Sequence, residues 1–557
     1  MIINTIKNIL FICLALLLSN PADGQIQTMG VDIYDKENTS DGYVFFSPGS
    51  YTDAYLIDNC GFLVNSWDRA NRPGLSGYLT ESGLMLRTNK VNNPEYGQAS
   101  TGGNLELVDW DNNTVWSSDF NEFEYIQHHD ARLLPNGNII YIGWERISPQ
   151  QQLAYGRRSN DISSPYLWGE FIQEIKPIGS SNYEVVWEWH LQDHFVQDFD
   201  SSLPNYSTVK DEIGKVDINY YGPGAWDDDD WWHCNALDYN PSLDHILVNS
   251  RNINELWIID HSTSTQEATG TTGGNSNKGG ELLYRWGNPQ TYDSGNSSNL
   301  RMYGSHGHYW IPEGMPNAGK IMYFNNGDDR PQGYYSTVEM IDPQFSGGEY
   351  LKNSNNFYFP LEPEVVYKAP NPLSFVSTYL SNAQQLANGH VFINEGENGR
   401  LFEIDNNDNI VWQYKSPVDF SGPNTQGNFI SWNSIFRAYK YPPDYPAFED
   451  VDLTPGELIE GDSQFNKCQE VATNDENILE GIELRYDLSS SILTIDNKLG
   501  ETLNLQIFSI DGKSVKNETL PGKTIDVNLS NLESGVYAIV ISTSNGGKSM
   551  TKKVVRF

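Results

Sequence analysis

The sequence predicts an all-β protein, a six-bladed β-propeller followed by a small C-terminal β-sandwich. Glycine, proline and aromatic residues are abundant, with 48 Gly, 27 Pro and 13% Phe, Trp and Tyr, while helical periodicity is nearly absent. A unit of strands and polar turns recurs at a spacing of roughly 40 to 60 residues, which is typical of propeller blades. Separate alternating strands follow near the carboxyl end.

Each repeat has two halves. The first is a strand, a turn with Asn-Gly or a similar pair, and an apolar strand, as in ARLLPNGNIIYIG; Asn-Gly between apolar runs is a strong hairpin signal. The second is a strand ending in acidic residues, a polar turn and a strand ending in an aromatic residue, as in LFEIDNNDNIVWQY. Each repeat therefore predicts a four-stranded meander, and the clear copies are residues 77–116, 131–190, 235–288, 309–369 and 383–416.

The sixth blade joins the two ends of this region. It would combine AYLIDNCGFLVNSW, near the amino end, with the late strand NSIFRAYKY, and this closure removes open sheet edges. A seventh blade is possible if residues 195–230 contain strands. The tryptophans that end several fourth strands are expected to pack between blades: Trp116, Trp187, Trp286 and Trp412.

The flanking segments complete the predicted domains. Residues 1–24 resemble a secretory signal peptide, because Lys7 precedes a short apolar run that small residues follow. No segment is long enough for a membrane span. The propeller is assigned to residues 25–450, an acidic linker to 451–480 and the sandwich to 481–557. The mature protein is therefore expected to be exported, and soluble or surface-attached.

Charge and cysteine content exclude several classes of protein. The net charge of −38 would repel nucleic acid and anionic membranes, so neither is an expected partner. A requirement for solubility outside a cell would also explain this charge. Removal of Cys13 with the signal peptide leaves three cysteines that are far apart in the sequence. This number and spacing predict neither a zinc site nor a disulfide framework. Pairing of Cys60 with Cys468 stays open, and Cys234 is expected to be a buried, inert thiol.

Three histidines share one position in successive repeats. His129, His233 and His306 each lie six residues before a strand runs into its turn, and Ser381 holds that position in the fourth copy. Stacked repeats bring equivalent positions to the same height. Arg251 ends the second strand of the blade that His233 opens, so it is expected at the same mouth of the channel.

Neighbouring residues are secondary candidates. His308 has an even offset from His306 and should share its face, whereas His128 should face away from His129. Asn325 ends a second strand, as Arg251 does. The run Asp227–Asp230 lacks the ligand spacing of a calcium loop and is interpreted as a solvated acidic loop.

Several functions suit three imidazoles and one guanidinium. They can hold a tetrahedral oxyanion, and a neutral imidazole can act as a nucleophile. A metal is an alternative, but the fixed cation of Arg251 disfavours it, and no metal or cofactor is expected. A structural interpretation is that these polar groups satisfy backbone atoms around a watery channel.

Several ordered blocks resemble the bacterial aryl-sulfate sulfotransferases, over most of residues 50–440. They are HHDARLLPNGNIIYIGWE, DWWHCNALDYNPSLDHILVNSRNINELWIID, RWGNPQTY and YGSHGHYWIPEG. The resemblance implies a six-bladed propeller that moves sulfate from an aryl sulfate to a phenol through a sulfohistidine, without PAPS. It implies that His306 is the nucleophile and that His129, His233, Arg251 and Asn235 bind the sulfate.

The chain also departs from that family. Its best-known members carry an N-terminal β-sandwich and a disulfide near the nucleophile, and here neither is expected. SHGH replaces the more usual QHD around the nucleophile. Dimerisation and substrate preference therefore stay open.

The C-terminal segments IFSIDGKSV, LSNLESGVYAIVIS and KKVVRF resemble the sorting domain of the type IX secretion system of Bacteroidetes. This resemblance implies that the secretion machinery is a partner and that the protein is secreted or held at the cell surface. Two alternative functions remain: a non-catalytic propeller that binds sulfated or acidic glycans, and a metal-dependent oxygenase or lyase that would contain stoichiometric metal.

Overall fold

The structure is a computed structural model that describes residues 27–97, 100–220, 229–428, 430–461, 482–487, 491–509, 513–532, 535–543 and 549–556. The chain divides into two compact units: the larger is Gln27–Lys467, and the smaller is Cys468–Phe557 together with Met1–Ile26. The predicted signal peptide, residues 1–24, lies outside the described residues.

Six antiparallel sheets form the larger unit, each with four strands and the last with a fifth. In spatial order, sheet 1 contains Ile435–Tyr441, Tyr43–Pro48, Ala54–Asp58 and Leu63–Trp67; sheet 2 contains Pro73–Leu79, Met85–Lys90, Gly103–Val108 and Thr114–Asp119; and sheet 3 contains Tyr125–Leu133, Ile139–Ile147, Leu167–Ile178 and Asn182–His190. Sheet 4 contains Cys234–Asn240, His245–Ser250, Glu255–Asp260 and Tyr284–Trp286; sheet 5 contains His306–Trp310, Ile321–Asn325, Thr337–Ile341 and Glu364–Tyr367; and sheet 6 contains Asn382–Gln385, Val391–Glu395, Arg400–Ile404, Ile410–Lys415 and Gly30–Tyr34.

The remaining elements of this unit are short. Three strand pairs join Phe195–Val196 with Val216–Asp217, Phe345–Ser346 with Glu349–Tyr350, and Val418–Asp419 with Gly422–Pro423. The α-helices are Pro149–Ala154 and Thr265–Ala268. The 3₁₀ turns are Ser159–Asp161, Leu191–His194, Val209–Asp211, Pro289–Tyr292, Ser297–Asn299, Pro372–Ser374, Gly396–Asn398 and Pro446–Phe448.

The predicted all-β class is confirmed, and the five repeat copies correspond to sheets 2 to 6. Sheet 1 combines strands from both ends of the unit, as predicted, but it also contains Tyr43–Pro48, which the repeat pattern missed. The pattern missed Gly30–Tyr34 as well, which pairs with the outer edge of sheet 6. In the described part of residues 195–230, the strands are one two-residue parallel pair.

Neighbouring sheets pack through shared apolar cores. The first strand of each sheet contacts the first strand of the next, and that of sheet 6 contacts that of sheet 1. An apolar core lies between each of these pairs of sheets. Burial of these side chains is the main stabilising contribution to such packing.

Buried indoles also join the sheets. The Nε1–H of Trp116, in sheet 2, donates to the carbonyl of Asn182 in sheet 3 at 2.8 Å, and Trp412, in sheet 6, donates to Asn59 in sheet 1 at 2.7 Å. Trp67, Trp187 and Trp286 make equivalent contacts, each to the connection between the third and fourth strands of the next sheet. The prediction that Trp116, Trp187, Trp286 and Trp412 pack between sheets is confirmed, and Trp67 was not predicted.

The first part of the predicted linker packs against sheet 1, because it carries apolar side chains. Leu458 is buried, and the N–H of Leu63 donates to the carbonyl of Glu457 at 3.0 Å. The later part of the predicted linker, residues 462–480, lies outside the described residues. Cys60 forms a disulfide, and Cys468, its suggested partner, lies outside the described residues too. Cys234 is a free, buried thiol, as predicted.

The smaller unit contains two antiparallel sheets. One consists of Ile482–Asp487, Ile492–Asn497 and Thr524–Asn528, and the other of Ser514–Leu520, Leu503–Ser509, Gly535–Thr543 and Ser549–Arg556. Alternate residues of both sheets share one apolar core, which includes Leu493, Leu505 and Ile539. This arrangement agrees with the predicted sandwich.

Candidate active site

A cavity of about 390 Å³ is lined by His129, His233, Arg251 and His306. His233 and His306 lie at or directly before the start of the first strands of sheets 4 and 5, and Arg251 directly follows the second strand of sheet 4. His129 lies within the first strand of sheet 3, where the strand register shifts. The imidazole centroids of His129 and His233 are 4.6 Å apart. The structure thus brings together the four side chains that the repeat register predicted.

Unusual backbone conformations turn these histidines. His129 has a φ of 46° and His233 a φ of 49°, a left-handed region that is uncommon for residues other than glycine and costs on the order of 1 kcal/mol. Gly307, directly after His306, has a φ of 67°, and a β-carbon there would lie 2.7 Å from the Cβ of Asn382. Strain of this kind is often found at functional sites.

Asn326 orients His306. Its Oδ1 lies 2.8 Å from Nδ1 of His306, and its amide nitrogen donates to the carbonyls of Ser377 and Leu380. Because those donations fix the amide, Nδ1 of His306 must carry the proton. The Nε2 lone pair then lies on the other side of the ring, where it accepts a hydrogen bond from the Leu380 N–H at 3.3 Å.

Two carboxylates support the neighbouring groups. Oδ2 of Asp230 accepts a hydrogen bond from Nδ1 of His233 at 2.5 Å, which leaves Nε2 of His233 as its other functional atom. Nη2 of Arg251 donates to Asp328 at 3.0 Å. Asp230 is 4% exposed, so the solvated-loop interpretation is wrong for this residue; Asp227 and Asp228 lie outside the described residues.

A buried chain of polar groups stands behind His129. Its Nδ1 lies 2.8 Å from Nδ1 of His128, and Nε2 of His128 lies 3.0 Å from Glu170. The other carboxyl oxygen of Glu170 accepts the N–H of Cys234 at 2.8 Å. His128 stacks on Trp144 with a centroid distance of 4.0 Å. His128 therefore supports His129 and does not line the cavity.

Burial and neighbouring cations keep two of the imidazoles neutral. Burial, followed by the charge of Arg251, lowers the pKa of His306 well below 6.5. Burial, followed by the proximity of His233, does the same to the pKa of His129. Arg437, which forms a buried ion pair with Asp130 at 2.8 Å, lowers both pKa values further. A neutral imidazole keeps a lone pair for nucleophilic attack.

Asn235 and Asn325 were predicted to bind substrate, but the structure places both behind the cavity wall. Asn235 donates to the carbonyl of Ser305 at 3.0 Å. Asn325 donates to Glu339 at 2.9 Å and accepts the N–H of Tyr303. Both are fully buried, and each amide also bonds to a neighbouring side chain, Asn249 or Glu339 respectively.

His308 and Ser381 do not line the cavity either. A break in strand register between His306 and Tyr309 disrupts the alternation on which His308 was predicted. Its ring stacks on Tyr323 at 4.8 Å, and neither of its nitrogens has a hydrogen-bond partner among the described residues. The Ser381 hydroxyl donates to Ser377 at 2.9 Å.

The outer wall of the cavity was not predicted. It includes Arg72, Lys90, Leu75, Tyr379 and Trp432, which follow no repeat position. Within the described ranges, no three His, Cys, Asp or Glu side chains are arranged to hold a metal ion. None of the helices in the same ranges is long and apolar enough to cross a membrane.

Solved structures with low similarity include two bacterial proteins. A protein of unknown function from Bacteroides caccae is 11% identical, with a TM-score of 0.36, and the match covers 67% of this chain and 94% of that one. Virginiamycin B lyase from Staphylococcus aureus is 10% identical, with a TM-score of 0.31, and the match covers 72% and 86%. No curated protein sequence matches the chain.

Two family profiles match different parts of the sequence. A secretion system C-terminal sorting domain matches residues 489–556, as the type IX resemblance predicted. This domain directs export, so the protein is secreted or held at the cell surface. The other profile, arylsulfotransferase (ASST), matches residues 112–417, more than half of the 557 residues. The chain therefore belongs to the arylsulfotransferase family.

Proposed function

We propose that the protein transfers a sulfuryl group from an aryl sulfate to a phenolic acceptor, without PAPS, through a covalent intermediate on His306. The observation that carries the proposal is the hydrogen bond from Nδ1 of His306 to Asn326, since it leaves a lone pair on Nε2 in a cavity shared with Arg251. An imidazole nucleophile beside a guanidinium suits an anionic, tetrahedral sulfuryl group.

We also propose that the six sheets are the blades of one propeller, over residues 25–450, with the linker and the sorting domain after it. The sequential contacts of their first strands and the apolar core between each pair of neighbours support this arrangement. In such a fold the first strands surround a central channel, and the cavity would be one mouth of that channel.

In the first half-reaction, Nε2 of His306 attacks sulfur while the bond from sulfur to the phenolic oxygen breaks. Arg251 and His129 donate to the sulfuryl oxygens, and the incoming sulfur displaces the Leu380 N–H that donates to Nε2 in the free protein. Sulfuryl transfer resembles phosphoryl transfer in its loose transition state, so positioning and charge stabilisation supply most of the catalysis. His233, whose Nδ1 donates to Asp230, gives its Nε2 proton to the departing phenolate.

In the second half-reaction, the acceptor phenol gives its proton to Nε2 of His233 and attacks sulfur. The bond from sulfur to Nε2 of His306 then breaks and restores the neutral imidazole. The proton count balances, because the proton lost by the acceptor replaces the one that the donor phenolate gained. The result is ping-pong kinetics.

Mass spectrometry after rapid quenching with 4-nitrophenyl sulfate tests this proposal. We expect one sulfuryl adduct on the peptide that contains His306, and its loss, together with the loss of turnover, in His306→Ala. His308→Ala is the matched control, because it removes a buried histidine from the same strand but not from the cavity. Turnover by folded His306→Ala would refute the role of His306. Binding of aryl sulfate without any adduct or transfer would favour a non-catalytic protein.

A further inference from the structure

The cavity has a buried inner end and an open outer part. At the inner end, His129 is 2% exposed and His306 is 3% exposed. In the outer part, Trp432 is 71% exposed and Tyr379 is 37% exposed, although both line the same cavity. A single exposed aromatic side chain is common, but exposed aromatic side chains that line a cavity are typical of a ligand-binding surface. The outer part therefore offers an aromatic surface next to the reacting groups.

The outer part is also positively charged in a strongly acidic chain. The whole sequence contains 73 acidic and 35 basic residues, about two acids for each base. Among the described residues that line the cavity this ratio is reversed: Arg72, Lys90 and Arg251 are basic, and Asp230 is the acidic residue. Asp230 and Arg251 both belong to the inner end, so Arg72 and Lys90 set the charge of the outer part.

Arg72 and Lys90 lie side by side. The backbone N–H of Lys90 donates to the carbonyl of Arg72 at 2.9 Å. Burial, together with the charge of Arg72, lowers the pKa of Lys90, which indicates that the two cations are close enough to repel each other. An anion bound near both would relieve this repulsion.

We propose that the outer part of the cavity binds aromatic substrates that carry a second acidic substituent, such as a carboxylate. The aromatic ring packs on Trp432 and Tyr379, and the acid pairs with Arg72 and Lys90. This inference rests on the proposed function, because the transferred sulfuryl group must occupy the inner end beside His306 and Arg251. The outer cations then bind a different anionic group of the same molecule.

Calorimetric binding of two matched phenols tests the proposal without turnover. The phenols are 4-hydroxyphenylacetate and its methyl ester, which have similar shape but differ in charge. We expect the wild-type protein to bind the acid about tenfold more tightly, as suits two partly exposed ion pairs. This preference should disappear in Arg72→Ala/Lys90→Ala and persist in Lys415→Ala, which removes an exposed cation outside the cavity.

Trp432→Ala provides a second readout, because it should weaken binding of the acid and of the ester by the same factor. Raising the ionic strength should reduce the preference of the wild-type protein for the acid. Equal binding of the two phenols by the wild-type protein, or an unchanged preference in the double variant, would overturn the proposal. Sulfuryl transfer to the ester, measured separately, tests the proposed function independently of this preference.

Discussion

Replacing Asn326 with alanine should slow sulfuryl transfer to His306 while leaving the cavity intact. The change removes the 2.8 Å hydrogen bond at Nδ1 of His306. It also removes the two donations that hold the backbone carbonyls of Ser377 and Leu380. The ring of His306 could then rotate or place its proton on Nε2, and neither state has a lone pair aimed at sulfur.

The structure sets the magnitude of this effect. Asn326 is 1% exposed, so water does not readily replace the lost acceptor, and a buried donor left unsatisfied costs about 1–3 kcal/mol. Because about 1.4 kcal/mol corresponds to a factor of ten in rate, we expect the rate constant to fall about 5- to 150-fold. The affinity for donor should change less, since Asn326 does not line the cavity.

Stopped-flow release of 4-nitrophenol measures this step. The first turnover should appear as a burst of one equivalent, with a lower rate constant in Asn326→Ala. Asn325→Ala is the matched control, because it removes a neighbouring buried amide that bonds to Glu339 and not to His306. Both variants should lose thermal stability. An unchanged burst rate in Asn326→Ala, or the same loss in Asn325→Ala, would refute the role of Asn326.

Three further predictions concern pH, His233 and the packing of the sheets. The lowered pKa of His306 keeps its imidazole neutral as the pH falls through 6.5. We therefore expect kcat/KM for 4-nitrophenyl sulfate to stay level there and to decline only at lower pH. An acidic limb centred at or above pH 6.5 would contradict this. Asp230→Asn should reduce kcat/KM about 10- to 150-fold, because it removes a charged hydrogen bond of about 1.5–3 kcal/mol. The reduction should be largest for donors whose phenols are weakly acidic. A uniform effect across donors would argue against proton transfer by His233. Trp116→Phe should destabilise the larger unit by about 0.5–1.5 kcal/mol, because it removes the hydrogen bond from the indole to the carbonyl of Asn182. Calorimetric unfolding checks this, and an unchanged melting temperature would show that the indole contact contributes little.

The repeat register was sufficient to predict the centre of the cavity. His129, His233 and His306 come from equivalent strands, and similar packing between sheets brings equivalent positions to one side of the molecule. Arg251 followed from the same logic, because it ends the second strand beside His233. Positions inside a regular repeat could therefore be predicted without any knowledge of side-chain contacts.

Prediction failed where the backbone leaves the regular strand. His308 was expected beside His306, but the left-handed Gly307 interrupts the alternation. Asn325 was named as a candidate because it ends a strand, but Asn326, the next residue, is the one that contacts His306. Asp230 lies three residues before His233, and this spacing was the signal in the sequence for their contact. Because Asp230 belongs to a run of acidic residues, it was interpreted as solvated instead.

Sheet 1 has a consequence for biosynthesis and export. Its strand Tyr43–Pro48 pairs on one side with Ala54–Asp58 and on the other with Ile435–Tyr441, from the opposite end of the same unit. A chain that emerges amino end first leaves one edge of Tyr43–Pro48 without its partner until almost the whole unit has been made, and unpaired edges promote aggregation. Truncation before Ile435 should therefore yield insoluble protein, and a holding factor during synthesis would protect this strand.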